Sequence, residues 1–106
     1  MKKFTILIID NQVDNIISLE SILEKNDFEI KNVQSEQEAL WILKDEMVDL
    51  VFIDINLPHQ QGFSICHTLK SNAKWSVIPV IFIVGMDDLS KNTQGRTGDT
   101  TYIGKL

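Results

Sequence analysis

The stretch Leu50-Val51-Phe52-Ile53-Asp54-Ile55-Asn56-Leu57-Pro58 decides the fold. Four apolar residues run without alternation into a carboxylate, and a proline closes the loop that follows. A strand that does not alternate is buried on both faces, and such strands belong to parallel sheets covered by helices. Two more runs repeat the pattern. Ile6-Leu7-Ile8-Ile9 ends in Asp10, and Val80-Ile81-Phe82-Ile83-Val84 ends in Gly85. A lone Lys105 follows Tyr102-Ile103-Gly104. In parallel sheets ligands bind beyond the carboxyl ends of the strands. Asp10, Asp54 and Lys105 are therefore expected at one edge. Two carboxylates and an ammonium there suit a divalent cation and a transferable phosphoryl group.

The chain of 106 residues reads as one domain, residues 1–106, and its 43% hydrophobic content can build a real core. No apolar run approaches the roughly 20 residues of a membrane span. Phe4 to Ile9 is too short for a signal-peptide core, and Asp10 interrupts it. The expectation is a cytoplasmic protein without membrane contact. A net charge of −5 argues against direct nucleic-acid binding, which wants a basic stripe. One cysteine, Cys66, excludes an intramolecular disulfide and a cysteine-based zinc cluster; it reads as a packed thiol.

The remaining periods alternate with the strands. Asp14–Lys25 reads as a helix with Ile16, Leu19, Ile22 and Leu23 on one face. Phe28–Val33 is a weaker strand. Ser35-Glu36-Gln37-Glu38 is a capping box that opens a helix carrying Leu40, Leu43 and Met47 inward. Phe63–Ser71 is a third helix, and Pro79 opens the fourth strand. The order is (βα)₃β, which predicts a right-handed parallel α/β sheet. From Leu89 to Thr101 there is no apolar stripe, so a fourth helix is expected to be short or frayed. Thr100-Thr101-Tyr102-Ile103 can make a last strand, and no residues remain for a helix after it.

These residues together resemble the receiver domain of two-component response regulators, over essentially the whole chain. Ile6 to Asn11 resembles the family's first strand and acidic pair. Leu50 to Pro58 with Gly62-Phe63 resembles its phosphoacceptor strand and loop, Ile78 to Ile83 its fourth strand, and Tyr102 to Lys105 its final strand and lysine. The resemblance implies a flavodoxin-like doubly wound five-stranded parallel sheet of order 2-1-3-4-5, here lacking the last helix and with a degraded fourth. It implies a phosphoacceptor module in a phosphorelay rather than a turnover enzyme. Asp54 would accept a phosphoryl group from a histidine kinase or a histidine phosphotransfer protein. Mg²⁺ would be held by Asp10, Asn11, Asp54 and the Asn56 backbone carbonyl, and Lys105 would contact the phosphoryl group.

Three positions and one missing element depart from the family. Asn11 stands where a second acid is usual, which removes one formal charge from the metal site. Val84 stands at the switch position usually held by Thr or Ser and cannot donate a hydrogen bond. Leu106 stands where proline is usual, and the last helix is absent. Tyr102 resembles the family's rotating aromatic. The open face is expected to expose part of the first helix and the sheet around Phe4, Ile6 and Ile8, and to favour self-association or docking there.

Plainer readings stand beside these. Asp10 could simply cap the first helix. His59 and His67 read as exposed histidines, and Trp41 and Trp75 as packing residues. The competing function is a pseudo-receiver, the same fold used as a phosphorylation-independent interaction module; Asn11, Val84 and the polar tail favour it. A haloacid-dehalogenase-type phosphatase would need a second Asp where Asn56 stands. A flavodoxin would need a Ser/Thr-rich phosphate loop in place of Asn11-Gln12-Val13-Asp14.

Overall fold

The computed structural model of the chain describes residues 3–85 and 100–105. Strand β1 (Thr5–Ile9) leads to helix α1 (Val13–Leu23), β2 (Glu29–Val33), α2 (Glu36–Asp45), β3 (Leu50–Asp54), α3 (Gln61–Lys70), β4 (Val80–Gly85) and β5 (Thr100–Lys105). One-turn 3-10 segments at Glu24–Asn26 and Pro58–Gln60 follow α1 and precede α3. All strand pairings are parallel. The order is β2-β1-β3-β4, with β5 paired along the outer edge of β4. This is a flavodoxin-like α/β fold, with three α-helices among the described residues.

Alternation within β1 divides the core, because successive side chains leave a strand on opposite faces. Leu7 and Ile9 join Val51, Ile53 and Phe82 beneath α2 and α3, where Ala39, Leu43, Ile65 and Leu69 complete the packing. Ile6 and Ile8 join Phe52 and Ile83 beneath Ile16 of α1, with Leu19 and Leu23 half-buried against them. Each fully buried aliphatic side chain contributes roughly 1.5–3 kcal/mol. That explains why these strands carry no polar position between Ile6 and Ile9.

Local chemistry sets the helix ends. The Ser35 hydroxyl accepts the Glu38 N–H at 3.3 Å. The Glu38 carboxylate reaches back to the Gln34 N–H at 3.3 Å, one residue before the cap. At the other end of α2, Lys31 of β2 pairs with Glu46 at 2.9 Å, and this bond holds the Lys31 ammonium above its ordinary pKa. Asp49 locks the start of β3 to β1: its carboxylate accepts the Thr5 N–H at 2.8 Å, and its own N–H donates to the Thr5 carbonyl at 2.9 Å.

Several expectations are corrected. Met47 does not face inward but is 72% exposed. Helix α2 ends at Asp45, and Glu46 is extended (φ −131°, ψ 153°), so Met47 has left the helical phase. Trp41 is exposed, lying on the side of α2 opposite Ala39 and Leu43; only Trp75 of the two tryptophans packs. Ile22 is exposed, because it lies about 240° round the helix from Ile16 at 3.6 residues per turn. Ile6 and Ile8 are 1% exposed, so the sheet is not open there; α1 covers it. Phe4 is exposed as expected, and so, on the first helix, are Val13, Ile17 and Ile22. The expected fourth helix, and with it the stretch from Leu89 up to the start of β5, lies outside the described residues, as does Leu106. No helix among the described residues is long and apolar enough to cross a membrane.

Candidate functional site

Register alone brings the acids together. Ile9 of β1 is the partner of Ile53 in β3. Asp10 and Asp54 each follow one member of that pair, so both leave the sheet at its carboxyl edge on neighbouring strands. Both are buried, Asp10 at 1% and Asp54 at 0% exposure. They are polar side chains at the ends of strands otherwise filled by isoleucine, leucine and valine, which makes them candidates for a site.

Backbone donors fix each carboxylate. Asp54 Oδ1 accepts the Asn56 N–H at 3.0 Å, and the Asp54 carbonyl accepts the Leu57 N–H at 3.3 Å. The next residue is tied across the sheet, the Ile55 N–H donating to the Ile83 carbonyl at 3.1 Å. Asp10 Oδ1 accepts the Gln12 N–H at 2.9 Å, and the Asp10 N–H donates to the Val33 carbonyl at 3.0 Å. Asp10 therefore braces the turn into α1. It does not cap the helix, whose N-cap is Gln12 without a side-chain bond. Asn11 and Asn56 are both exposed beside the buried pair.

The other sequence-derived positions fall on the same edge by backbone register. Asp54 pairs with Ile83, and Ile83 with Ile103. Val84 pairs with Gly104, Gly85 with Lys105, and Tyr102 with Phe82. Lys105 thus stands two residues past Ile103 in the row that contains Asp54, toward the carboxyl end.

The loop after Asp54 holds two features that the sequence pattern left unread. His59 sits in the left-handed region (φ 57°, ψ 29°), exposed, inside the Pro58–Gln60 turn. Gly62, in the first turn of α3, lies against the strand end: a Cβ there would meet the Asp54 carbonyl oxygen at 2.9 Å. A glycine following Asp-x-x-x-Pro was the available signal for that close approach.

The donor set fits Mg²⁺. Two adjacent buried carboxylates and an amide side chain are hard oxygen donors, and Mg²⁺ binds through one or two carboxylates while keeping several waters. No cluster of three or more His, Cys, Asp or Glu exists among the described residues, so a softer or more fully caged metal has no comparable set.

The family described as response regulator receiver domain matches residues 6–105, and the chain belongs to it. The match spans both acids, the loop with Gly62 and Lys105. The chain is 33% identical over 106 residues to a Vibrio cholerae protein named "probable cyclic di-GMP phosphodiesterase", covering 99% of this chain and 24% of that protein. It is 27% identical to the response regulator PleD of Caulobacter vibrioides, over 94% of this chain and 22% of that protein. It is 29% identical to PilH of Pseudomonas aeruginosa, over 94% of this chain and 84% of that protein. The chain thus spans about a quarter of the first two relatives and most of the third. In fold it resembles the signal receiver domain of a histidine kinase from Syntrophus aciditrophicus, with TM-score 0.79 at 24% identity over 97% of this chain and 80% of that one. It likewise resembles the phosphorylated cyanobacterial phytochrome response regulator RcpA, with TM-score 0.79 at 21% identity over 99% and 82%. Membership makes the chain a two-component signalling module, a class generally without turnover activity and with histidine kinases as phosphodonors.

Proposed function

We propose that this chain is a single receiver unit that accepts a phosphoryl group on Asp54 from a phosphohistidine of a histidine kinase or histidine phosphotransfer protein, and so switches a partner or output domain. The observation that carries this is the Asp54 carboxylate itself. It is wholly buried at the carboxyl edge, with Oδ1 fixed by the Asn56 N–H and Asp10 on the neighbouring strand. In the transfer an Asp54 oxygen attacks phosphorus, the P–N bond of the phosphohistidine breaks, and the imidazole leaves with the electron pair and takes up a proton. Asp10, Asn11, Asp54 and the Asn56 carbonyl would hold Mg²⁺, which supplies charge neutralisation at the phosphoryl oxygens. Lys105 pairs with a phosphoryl oxygen as a point charge.

Val84 and Tyr102 occupy the switch positions. Without a hydroxyl at Val84, the coupling of phosphorylation to the β4–β5 edge is weak. That feature, with the uncharged Asn11, favours the second reading, a pseudo-receiver that binds its partner without phosphorylation. Intact mass spectrometry after treatment with acetyl phosphate and Mg²⁺ separates the two. One added phosphoryl mass on the wild type and none on Asp54→Ala supports the acceptor. An unmodified wild-type mass under saturating donor refutes it and favours the pseudo-receiver.

A further inference from the structure

The first turn of α3 touches two elements at once. Gly62 faces the end of β3, where its missing Cβ leaves room for the Asp54 carbonyl oxygen and Ile53 Cγ2. Gln61 and Ser64, three residues apart and so on a shared face of the helix, reach to the start of α2. The Gln61 side-chain oxygen accepts the Glu36 N–H at 3.0 Å. The Ser64 hydroxyl donates to the Glu36 carboxylate at 3.0 Å. One residue of α2 is thus held twice, at its backbone and at its side chain, by the helix that follows the Asp54 loop.

The first N–H groups of a helix have no partner within it. Ser35 serves the Glu38 N–H from the cap of α2 itself. The Glu36 N–H, at the first helical position, is served by another helix, from a residue 25 positions further along the chain. Gln61 and Glu36 are both half-buried, so water competes less for this bond than for the exposed Ser64 contact. Loss of the Gln61 acceptor removes a cap from α2 and a tie from the turn that carries Gly62.

We propose that Gln61 is a positioning residue: by tying the start of α2 to the first turn of α3, it fixes how closely that turn rests on the Asp54 carbonyl and so couples Glu36 to the loop that carries Asn56. The Asp54 carbonyl accepts the Leu57 N–H at 3.3 Å, so a shift of the turn is passed to the loop. The link runs both ways, because a coupling free energy between two sites is reciprocal. Under the phosphoacceptor reading, on which this second half rests, an event at Asp54 is felt at the start of α2. That route avoids β4, where Val84 offers no hydroxyl.

Amide NMR of the unmodified protein tests the tie. Gln61→Ala removes the acceptor. Glu36→Pro removes the donor and leaves the helix start intact, since proline suits the first helical position and Ser35 before it is already extended (φ −149°, ψ 163°). Glu36→Ala, which keeps the N–H and loses the carboxylate, is the control. Gln61→Ala and Glu36→Pro should each move the Asn56 and Leu57 amide resonances, and Glu36→Ala should not. The double variant should move them no further than either single one, because both changes break the same bond. A cap that merely stabilised α2 would leave those amides still. Unmoved Asn56 and Leu57 in a folded Gln61→Ala or Glu36→Pro, or additive shifts in the double variant, would overturn the proposal. Beryllofluoride with Mg²⁺ tests the return path. The Glu36 amide should shift in the wild type and lose that response in Gln61→Ala. Shifts at Asn56 without one at Glu36 would overturn the coupling and leave the phosphoacceptor reading standing. No shift at either residue would sink that reading, and the spectra of the unmodified proteins would still decide the tie.

Discussion

A Cβ on Gly62 would lie 2.9 Å from the carbonyl oxygen of Asp54 and 3.2 Å from Cγ2 of Ile53. The first turn of α3 therefore rests directly on the end of β3, and the residue that permits it has no side chain. The same carbonyl accepts the Leu57 N–H, so pushing it away disturbs the loop that carries Asn56.

Gly62→Ala should destabilise the protein despite improving helix propensity. Alanine gains about 0.5–1 kcal/mol over glycine in a helix, while overpacking costs typically about 1–3 kcal/mol. The net expectation is a loss of about 1–2 kcal/mol in urea unfolding. Phosphorylation by acetyl phosphate should slow as well. Unchanged stability would mean that α3 lifts away from the strand without cost.

Asn11→Asp should tighten Mg²⁺ binding by about tenfold or more, since a tenfold change needs only about 1.4 kcal/mol. Asn11 is exposed next to buried Asp10, so a new charge is added where the cation would sit without a burial penalty. Isothermal titration calorimetry of the two proteins decides it, and equal affinities would refute the charge argument.

The acidic edge was legible because strands buried on both faces write themselves as unbroken apolar runs, and register then forces Asp10 and Asp54 onto adjacent strand ends. Ser35 and Glu38 announced α2 in the same direct way. Helix surfaces were read less well. Met47 follows an apolar period that the backbone abandons at Glu46, and Trp41 lies opposite the buried stripe. A tryptophan or methionine within a periodic segment gives no sign of which side it takes. The cover over Ile6 and Ile8 was also misjudged. Ile6 and Ile8 are buried in a cluster that includes Ile16 and half-buried Leu19 and Leu23 of α1, whereas Phe4 stays exposed. Neither the left-handed turn at His59 nor the tight seat of Gly62 leaves a periodic trace.

Ser35→Ala should cost about 1 kcal/mol, the usual loss of an N-cap side chain. It removes the acceptor of the Glu38 N–H. Ser35→Asn should restore most of it, and thermal unfolding of the pair measures both. Equal loss in both variants would show that the cap bond is not what Ser35 contributes.

Self-association, if the exposed apolar residues drive it, should run through α1 and not through the sheet. Val13 and Ile17 lie one turn apart and are 56% and 55% exposed, whereas Ile6 and Ile8 are sealed. Ile17→Glu should therefore lower the weight-average mass in sedimentation at high concentration and leave stability within about 0.5 kcal/mol, as surface changes do. A wild type that stays monomeric at high concentration would remove this surface from consideration.

Val84→Thr should strengthen the response to phosphorylation. β4 carries Val84 one residue past Ile83, the partner of Asp54, so a hydroxyl there stands close to the acceptor in sequence register. A hydrogen bond to a charged group is worth about 1.5–3 kcal/mol. Couplings between sites are typically of the same size, about 1–3 kcal/mol. Valine cannot supply that bond, so under the proposed function a phosphoryl group is expected to shift the β4–β5 edge little. Beryllofluoride with Mg²⁺, followed by amide NMR, reads the difference. Small shift changes confined to the loops after β1 and β3 are expected in the wild type, and larger ones spreading along β4 and β5 in Val84→Thr. A wild type that already moves Tyr102 and its neighbours as far as the variant does would show that the switch works without the hydroxyl. Position 84 would then be a packing site only.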